Sequence, residues 1–521
     1  MSPIPLPAPL ARMLLACVRR YRAPALPASL DEASLAGPAT ALAFAIDQAR
    51  VATVQGVTPE PAVRALFIHA LARLIAGALR PQGGDPAFQA MVLQHQWPVV
   101  REFASLNAHA AADRRTVQST IRAFAHPEKT RRRPDAALRA ALTELHRAGE
   151  AADWPRLVPM ALALLDQPDV RADPALRRLL ERLRDETAVD RLQRLAVLAH
   201  DERIQRYLRL WQQQGPRSGT AEAHARGSRA QARGAAVEAQ ASHALEAVAR
   251  RLNEEDAAAP YRVVTGLLVP GAIPGDPQGA KSEWDVALLR RAEGHADASA
   301  WDLCLLVEAK ASADAATTDV YKLQRGLQRL QQASDGEVHA FACDQGEVGL
   351  TGASLRALTL GAGEGEGEGA AQGPVPPCSA PAQDDRLDAS RSVLGSVLYC
   401  SNATADRTPP LLNPASRMQL MSAPAAVAFA SQWAEATKGT DVATDGETAD
   451  PQPLHAVWLQ LLNDPVFDAV RQQYPTLRQV RDLMVHPDDL LAAAGAAARD
   501  CAHGTTESIS TSCTAGTSRS S

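Results

Sequence analysis

The chain has 521 residues, 46% hydrophobic and 22% charged but only 4% aromatic. That length exceeds one ordinary core of roughly 100–200 residues and predicts two or three domains built mainly from Ala, Leu and Val. A formal net charge of −5 excludes a uniformly basic nucleic-acid coat while leaving room for a local basic groove. The seven cysteines are odd in number, widely spaced and without a C-x-x-C pair, which argues against a disulfide framework or a zinc knuckle. No apolar run is read as reaching the roughly 18–20 residues of a membrane span, and the Leu10–Val18 run already holds Arg12 with no basic region before it. A cytoplasmic protein with no membrane association is expected.

Residues 1–215 read as a helical domain. Asp135, Leu138, Leu142 and Leu145 set an N-cap followed by leucines at helical spacing, and Asp173, Leu176, Leu180 and Leu183 repeat the pattern 38 residues later. The echo admits a short helical-repeat array or an irregular helical domain. Residues 216–233 carry Arg217, Arg226, Arg229 and Arg233 against the single acid Glu222 and are expected to form a basic linker.

Beyond the linker the period changes. A helix over 234–253 precedes three strands at 261–269, 284–289 and 301–309, then a helix over 318–332 and a strand at 338–343, which predicts an α/β or α+β core. The acidic Gly/Glu/Pro stretch at 361–392 cannot bury enough apolar surface to order itself and reads as a disordered insertion. An apolar run at 396–401 is expected to return to the sheet, so that one domain spans 234–440. A C-terminal helical region is expected at 441–499 and a disordered Ser/Thr-rich tail at 500–521.

Asp285 sits in the apolar run Trp284-Asp285-Val286-Ala287-Leu288-Leu289, where a carboxylate is costly unless paired or bound to a cation. Glu308 and Lys310 end the next strand, two apart and so on one face of it. A hairpin through Arg291–Ala300 would set Asp285 beside Glu308. Glu238 falls at helical offsets with Ala241, Leu245, Val248 and Leu252, which places it in the apolar stripe of the preceding helix. Three carboxylates and an ammonium at a sheet edge suit one or two divalent cations that hold a phosphodiester and lower the pKa of an attacking water. Lysine suits the remaining role as a compact charge that can orient water and stabilise a phosphorane.

Gly234-x-x-x-Glu238 on a helix, then Glu283-Trp284-Asp285, then Val307-Glu308-Ala309-Lys310, then a helix with Tyr321-Lys322-Leu323-Gln324 resembles the PD-(D/E)XK nuclease superfamily, which includes restriction endonucleases, Holliday-junction resolvases and RecB-type nuclease domains. The resemblance covers roughly residues 234–343, extending to 402 if the later strand belongs. It implies a restriction-endonuclease-like core, a mixed sheet flanked by helices, after an N-terminal all-α domain. It also implies Mg²⁺-dependent hydrolysis of nucleic acid, DNA before RNA, with Mn²⁺ as an admissible substitute. Asp285 and Glu308 would ligate metal, Glu238 would support them and Lys310 would be catalytic. Trp284 stands where the motif has Pro, and the downstream helix lacks a RecB-type Gln-x-x-x-Tyr pattern.

Arg226, Arg229, Arg233, Lys322 and Gln324 are the candidate nucleic-acid contacts. The basic run His126–Arg133 reads better as a solvated loop between helices. No phosphate-binding loop, dinucleotide fingerprint or Gly-x-Ser-x-Gly occurs, so no nucleotide cofactor is expected. The alternative to an enzyme is a catalytically inactive nuclease-like domain that binds DNA or protein, with the N-terminal helical domain engaging a protein partner.

Overall fold

The computed structural model describes residues 6–215, 220–293, 300–360, 395–406, 410–437 and 450–496. The insertion expected at 361–392, the tail at 500–521 and residues 216–219 of the linker lie outside them. The N-terminal region is helical and a mixed sheet occupies the middle of the chain.

Two compact units form, and neither is continuous in sequence. One holds Met1–Leu66, His224–Arg417 and Leu461–Ser521; the other holds Phe67–Ala223 and Met418–Gln460. The change of unit at Ala223/His224 falls inside the expected 216–233 linker, and the expected limit at 440 does not coincide with a unit boundary. The cause is apolar packing: Leu10, Met13 and Leu14 of the Ala8–Ala16 helix share a core with Leu245 and Val248 and with the sheet residues Val286, Leu288, Leu305 and Val307. Each such buried side chain contributes about 1.5–3 kcal/mol, so the first helix belongs to the sheet's core.

Among its described residues the second unit is helical. Asp135 caps Ala136–Glu150 by accepting from the N–H groups of Ala137 and Leu138, at 3.3 and 2.6 Å. Asp173 caps Pro174–Arg184 in the same way at 3.1 and 3.0 Å. Leu138, Leu142 and Leu145 are buried, as are Leu176, Leu180 and Leu183, all in one core. Each cap satisfies orphan N–H groups that the first helical turn leaves unpaired. In the basic run, Lys129 Nζ donates to the Ala123 carbonyl at 2.7 Å, which ties that cluster to the end of the helix before it. One helix departs from expectation: Pro61–Ala78 is long and apolar enough, by length and composition, to cross a membrane. It buries Phe67, Leu71 and Ile75, and Phe67 stacks at 5.2 Å on Trp458, as a core helix does.

Among the described residues, the first unit is built on seven strands in the order β2-β1-β4-β5-β3-β6-β7, with a further pairing of β2 to β3. They are β1 (Tyr261–Leu268), β2 (Glu283–Arg291), β3 (Ala300–Ala309), β4 (Val338–Cys343), β5 (Gly346–Thr351), β6 (Val397–Cys400) and β7 (Met484–Val485). The extra pairing closes β2, β1, β4, β5 and β3 into a five-stranded ring, which is not a clear restriction-endonuclease-like sheet. β5 bridges β4 and β3, and its only apolar side chains are Val348 and Leu350, two apart and both buried. β3 is where the ring forks. Along one edge Ala300 and Trp301 run parallel to Gly349 and Leu350 of β5, while Leu306–Ala309 run parallel to Val397–Cys400 of β6. The apolar run at 396–401 thus pairs with the C-terminal half of β3.

Both faces of β2 and β3 are covered, which explains their continuous apolar sequences. Val286, Leu288, Leu305 and Val307 pack on the Ala221–Glu255 helix, and Ala287, Leu289 and Leu306 pack on the Ala313–Leu330 helix. The Ala221–Glu255 helix absorbs most of the expected linker: its N-terminal part contains Arg226, Arg229 and Arg233, all exposed, and its buried stripe begins only at Val237.

Leu10→Ala should remove about 2–5 kcal/mol from the unit that contains the sheet. Hydrogen exchange at β2 and β3 amides would then accelerate. Unchanged exchange there would show that the first helix is not part of that core.

Candidate active site

The β2–β3 hairpin is antiparallel, with Val286 opposite Val307. One step further brings Asp285 to the end of β3, where its Oδ2 accepts the Ala309 N–H at 2.7 Å. Glu308 is 1% exposed. Its Oε1 receives two ammonium groups, Lys310 at 2.7 Å and Lys281 in a still closer contact, while Oε2 is buried without a hydrogen-bond partner among the described residues. Lys310 also reaches Asp319 Oδ2 at 3.0 Å. The order expected from alternation along the strand therefore brings Asp285, Glu308 and Lys310 together.

Local chemistry fixes each member. The Lys310 N–H donates to the Cys400 carbonyl at 2.9 Å, holding the strand end against β6. Ser312 then caps the Ala313–Leu330 helix by accepting from Ala315 N–H at 3.2 Å. The chain turns within two residues of Lys310, and the helix returns Asp319 to it. Lys281 arrives by another route. Its N–H donates to the Lys322 carbonyl at 3.0 Å, and Gly326 admits it, since a Cβ at Gly326 would lie 2.6 Å from Lys281 Cβ. Arg329 Nη2 pins the same loop by donating to the Pro270 carbonyl at 3.1 Å.

Burial is the first influence on both carboxyls. It pushes Asp285 above the ordinary carboxylate range against the pull of Lys281 and the Ala309 N–H, with Glu238 adding to the rise. Burial raises Glu308 too, helped by Asp285 and opposed by the two lysines. Burial works against the Lys310 ammonium, but Glu308 and Asp319 outweigh it and hold that group above its ordinary value. Tyr399, paired in register with Glu308, keeps a buried hydroxyl that lacks a partner; desolvation and then the charges of Asp319 and Glu308 raise its pKa.

Several expectations need correction. Glu238 is exposed. Its helix packs on the face of the sheet opposite the Ala313–Leu330 helix, and the buried stripe runs through Val237, Ala241, Ala244, Leu245 and Val248. Glu238 lies at the N-terminal limit of that stripe, where the helix runs past the core, so it acts on Asp285 only through its charge. Among the described residues no group of three or more His, Cys, Asp or Glu is arranged to hold a metal ion, so the three-carboxylate set of Asp285, Glu308 and Glu238 is not assembled. Lys322 is exposed and touches this site only through its carbonyl. Gln324 lines a separate cleft of about 590 Å³ with Asp47, Arg50, Tyr321, Tyr474 and Arg478. Arg226, Arg229 and Arg233 continue N-terminally along the helix that carries Glu238.

Sequence reasoning missed Lys281, Asp319 and Tyr399. The signal for Lys281 was its rarity, one of five lysines in a chain with 54 basic residues. Asp319 and Tyr399 had none, because their approach depends on the helix return and on β6.

Two carboxylates are too few for an all-protein cation cage. Mg²⁺ keeps several waters and binds through one or two carboxylates together with substrate phosphates; among the described residues, the groups here that could serve such an ion are Asp285 and the Oε2 of Glu308, which is buried without a hydrogen-bond partner.

Comparison with known proteins returned no matching family model, no matching curated protein and no matching solved structure.

The raised carboxyl pKa values have a consequence with a definite sign. A carboxyl whose folded pKa exceeds its unfolded value favours the folded state at low pH and loses that contribution as pH rises through the folded value. In cation-free protein, Asp285→Asn should match the wild type near pH 4 and become the more stable of the two as pH climbs above the ordinary carboxylate range. Thermal unfolding in chelator across that range reads the difference; equal stability at all pH values would mean that Asp285 carries no desolvation cost.

Proposed function

We propose that this chain is a Mg²⁺-dependent nuclease, active in the cytoplasm, that hydrolyses phosphodiester bonds of DNA at the end of β3. The observation that carries the reading is Glu308: a buried carboxylate with an open oxygen, beside Asp285 and in contact with Lys310. A polar group is buried at such cost only when something offsets it. The resemblance of Glu283-Trp284-Asp285 and Val307-Glu308-Ala309-Lys310 to the PD-(D/E)XK motif supports the same chemistry, as a restriction-endonuclease-like site on a sheet that has closed into a ring.

Asp285 and Glu308 would hold the cation, which when bound polarises the phosphate and lowers the pKa of water. Lys310, fixed through its N–H to β6 and through Nζ to Glu308 and Asp319, orients the attacking water and stabilises charge on the phosphorane. The exposed guanidinium groups of Arg226, Arg229 and Arg233 lie three and four apart on one helix, so they lie along one side of it and would follow a phosphate backbone. The second, helical unit is assigned to DNA or to a protein partner.

One observation favours the alternative of an inactive binding module: two ammonium groups already neutralise Glu308. Purified protein incubated with linear, nicked and single-stranded DNA and Mg²⁺ or Mn²⁺ separates the two. Under the nuclease reading, Asp285→Ala and Lys310→Ala each lower single-turnover cleavage by about 10²–10⁴-fold. Arg229→Ala and Arg233→Ala each reduce the salt slope of DNA binding by about 1. Cleavage indifferent to Asp285→Ala and Lys310→Ala overturns the assignment.

A further inference from the structure

The carboxylate at the centre of this site has more partners than it can keep once a divalent cation arrives. Asp285, Glu308 and Asp319 face Lys281 and Lys310. Three carboxylates against two ammonium groups leave the cluster with one net negative charge. Adding a dication with everything else in place would reverse that sign in a pocket where Glu308 is almost entirely withdrawn from water, a costly state at low dielectric. Releasing one lysine restores neutrality.

The two lysines are not equally free to leave. Lys310 has a second carboxylate, Asp319, at 3.0 Å, and its N–H is tied into the β3–β6 pairing. Lys281 sits on a loop and has Glu308 as its ion-pair partner. The loop's backbone is held at Lys322, Gly326 and Arg329. A swing of the Lys281 side chain therefore needs no backbone movement, only rotation about flexible methylene bonds.

We propose that Lys281 is an internal counter-cation that occupies Glu308 in the absence of metal and is displaced from it when a divalent cation binds Asp285 and Glu308. This rests on the reading of those two residues as cation ligands. Lys281 then gates cation occupancy, keeping the buried carboxylate neutralised until a dication competes, and its released ammonium projects from the loop beside the cation, where a substrate phosphate would meet it.

Ca²⁺ serves as the probe, a dication with the same preference for oxygen ligands. With only five lysines in the chain, acylation by an N-hydroxysuccinimide ester followed by mass spectrometry resolves each one in the full-length protein. Saturating Ca²⁺ should raise labelling of Lys281 severalfold and leave Lys310 protected by Asp319. Independently, Lys281→Gln should tighten Mn²⁺ binding by about tenfold in calorimetry, and Asp285→Ala should abolish the Ca²⁺-dependent change in labelling. Cation binding by the wild type with unchanged Lys281 labelling, or equal Mn²⁺ affinity in Lys281→Gln, overturns the exchange while leaving the metal reading intact. No cation binding in either the wild type or Lys281→Gln overturns the metal reading, and the exchange with it. Labelling uses unmutated protein, so misfolding of the variant cannot rescue the proposal.

Discussion

Glu308 is the constraint around which this unit is arranged. A carboxylate 1% exposed at the end of a central strand is unfavourable by several kcal/mol unless charge and hydrogen bonds return what water supplied. Each nearby feature bears on that deficit. The hairpin brings Asp285 and its captured N–H alongside, Ser312 turns the following helix so that Asp319 anchors Lys310, and Gly326 lets a loop approach closely enough to deliver Lys281. Compensation is incomplete, since Oε2 has no partner and both acidic pKa values stay raised. That remaining deficit is what a bound cation would offset under the reading proposed above.

The fork in the sheet makes this arrangement achievable. If β3 paired with β5 along its whole edge, its C-terminal half would be closed within the ring. Instead β5 engages only Ala300 and Trp301, and β6 takes over from Leu306 to Ala309. Glu308 thereby sits where three strands and a helix converge, with Tyr399 beside it on β6 and Asp285 beside it on β2. The ring closes one end of β3, and the short parallel strands β6 and β7 continue the sheet at the other.

What the sequence revealed depended on whether a feature was local. Strand alternation and the apolar runs of 284–289 and 301–309 located Asp285, Glu308 and Lys310, because the hairpin that joins them spans few residues. The caps at Asp135 and Asp173 were legible for the same reason. Glu238 was misread because helical offsets report which side of a helix a residue occupies, but not how far along it the neighbouring layer extends. Residues 221–233 of the expected linker are helical, because Gly, Ser and Arg suit a long exposed helix segment as well as a loop. Contacts made by distant segments had no local trace: the Ala8–Ala16 helix joins a core formed more than 200 residues later, and β5 closes the ring through a Gly-rich strand. Lys281 meets Glu308 only because Gly326, on another element, leaves space for it.

The choice of lysine in a chain that otherwise writes its positive charge as arginine follows from the same carboxylate. A guanidinium that pairs with a carboxylate through two parallel N–H bonds occupies both oxygens of the carboxylate. Ammonium groups are compact point charges, and both Lys281 and Lys310 converge on one oxygen while the other stays open. The net charge of −5 is a property of the whole chain and does not describe the end of β3, where the acids are held against lysine.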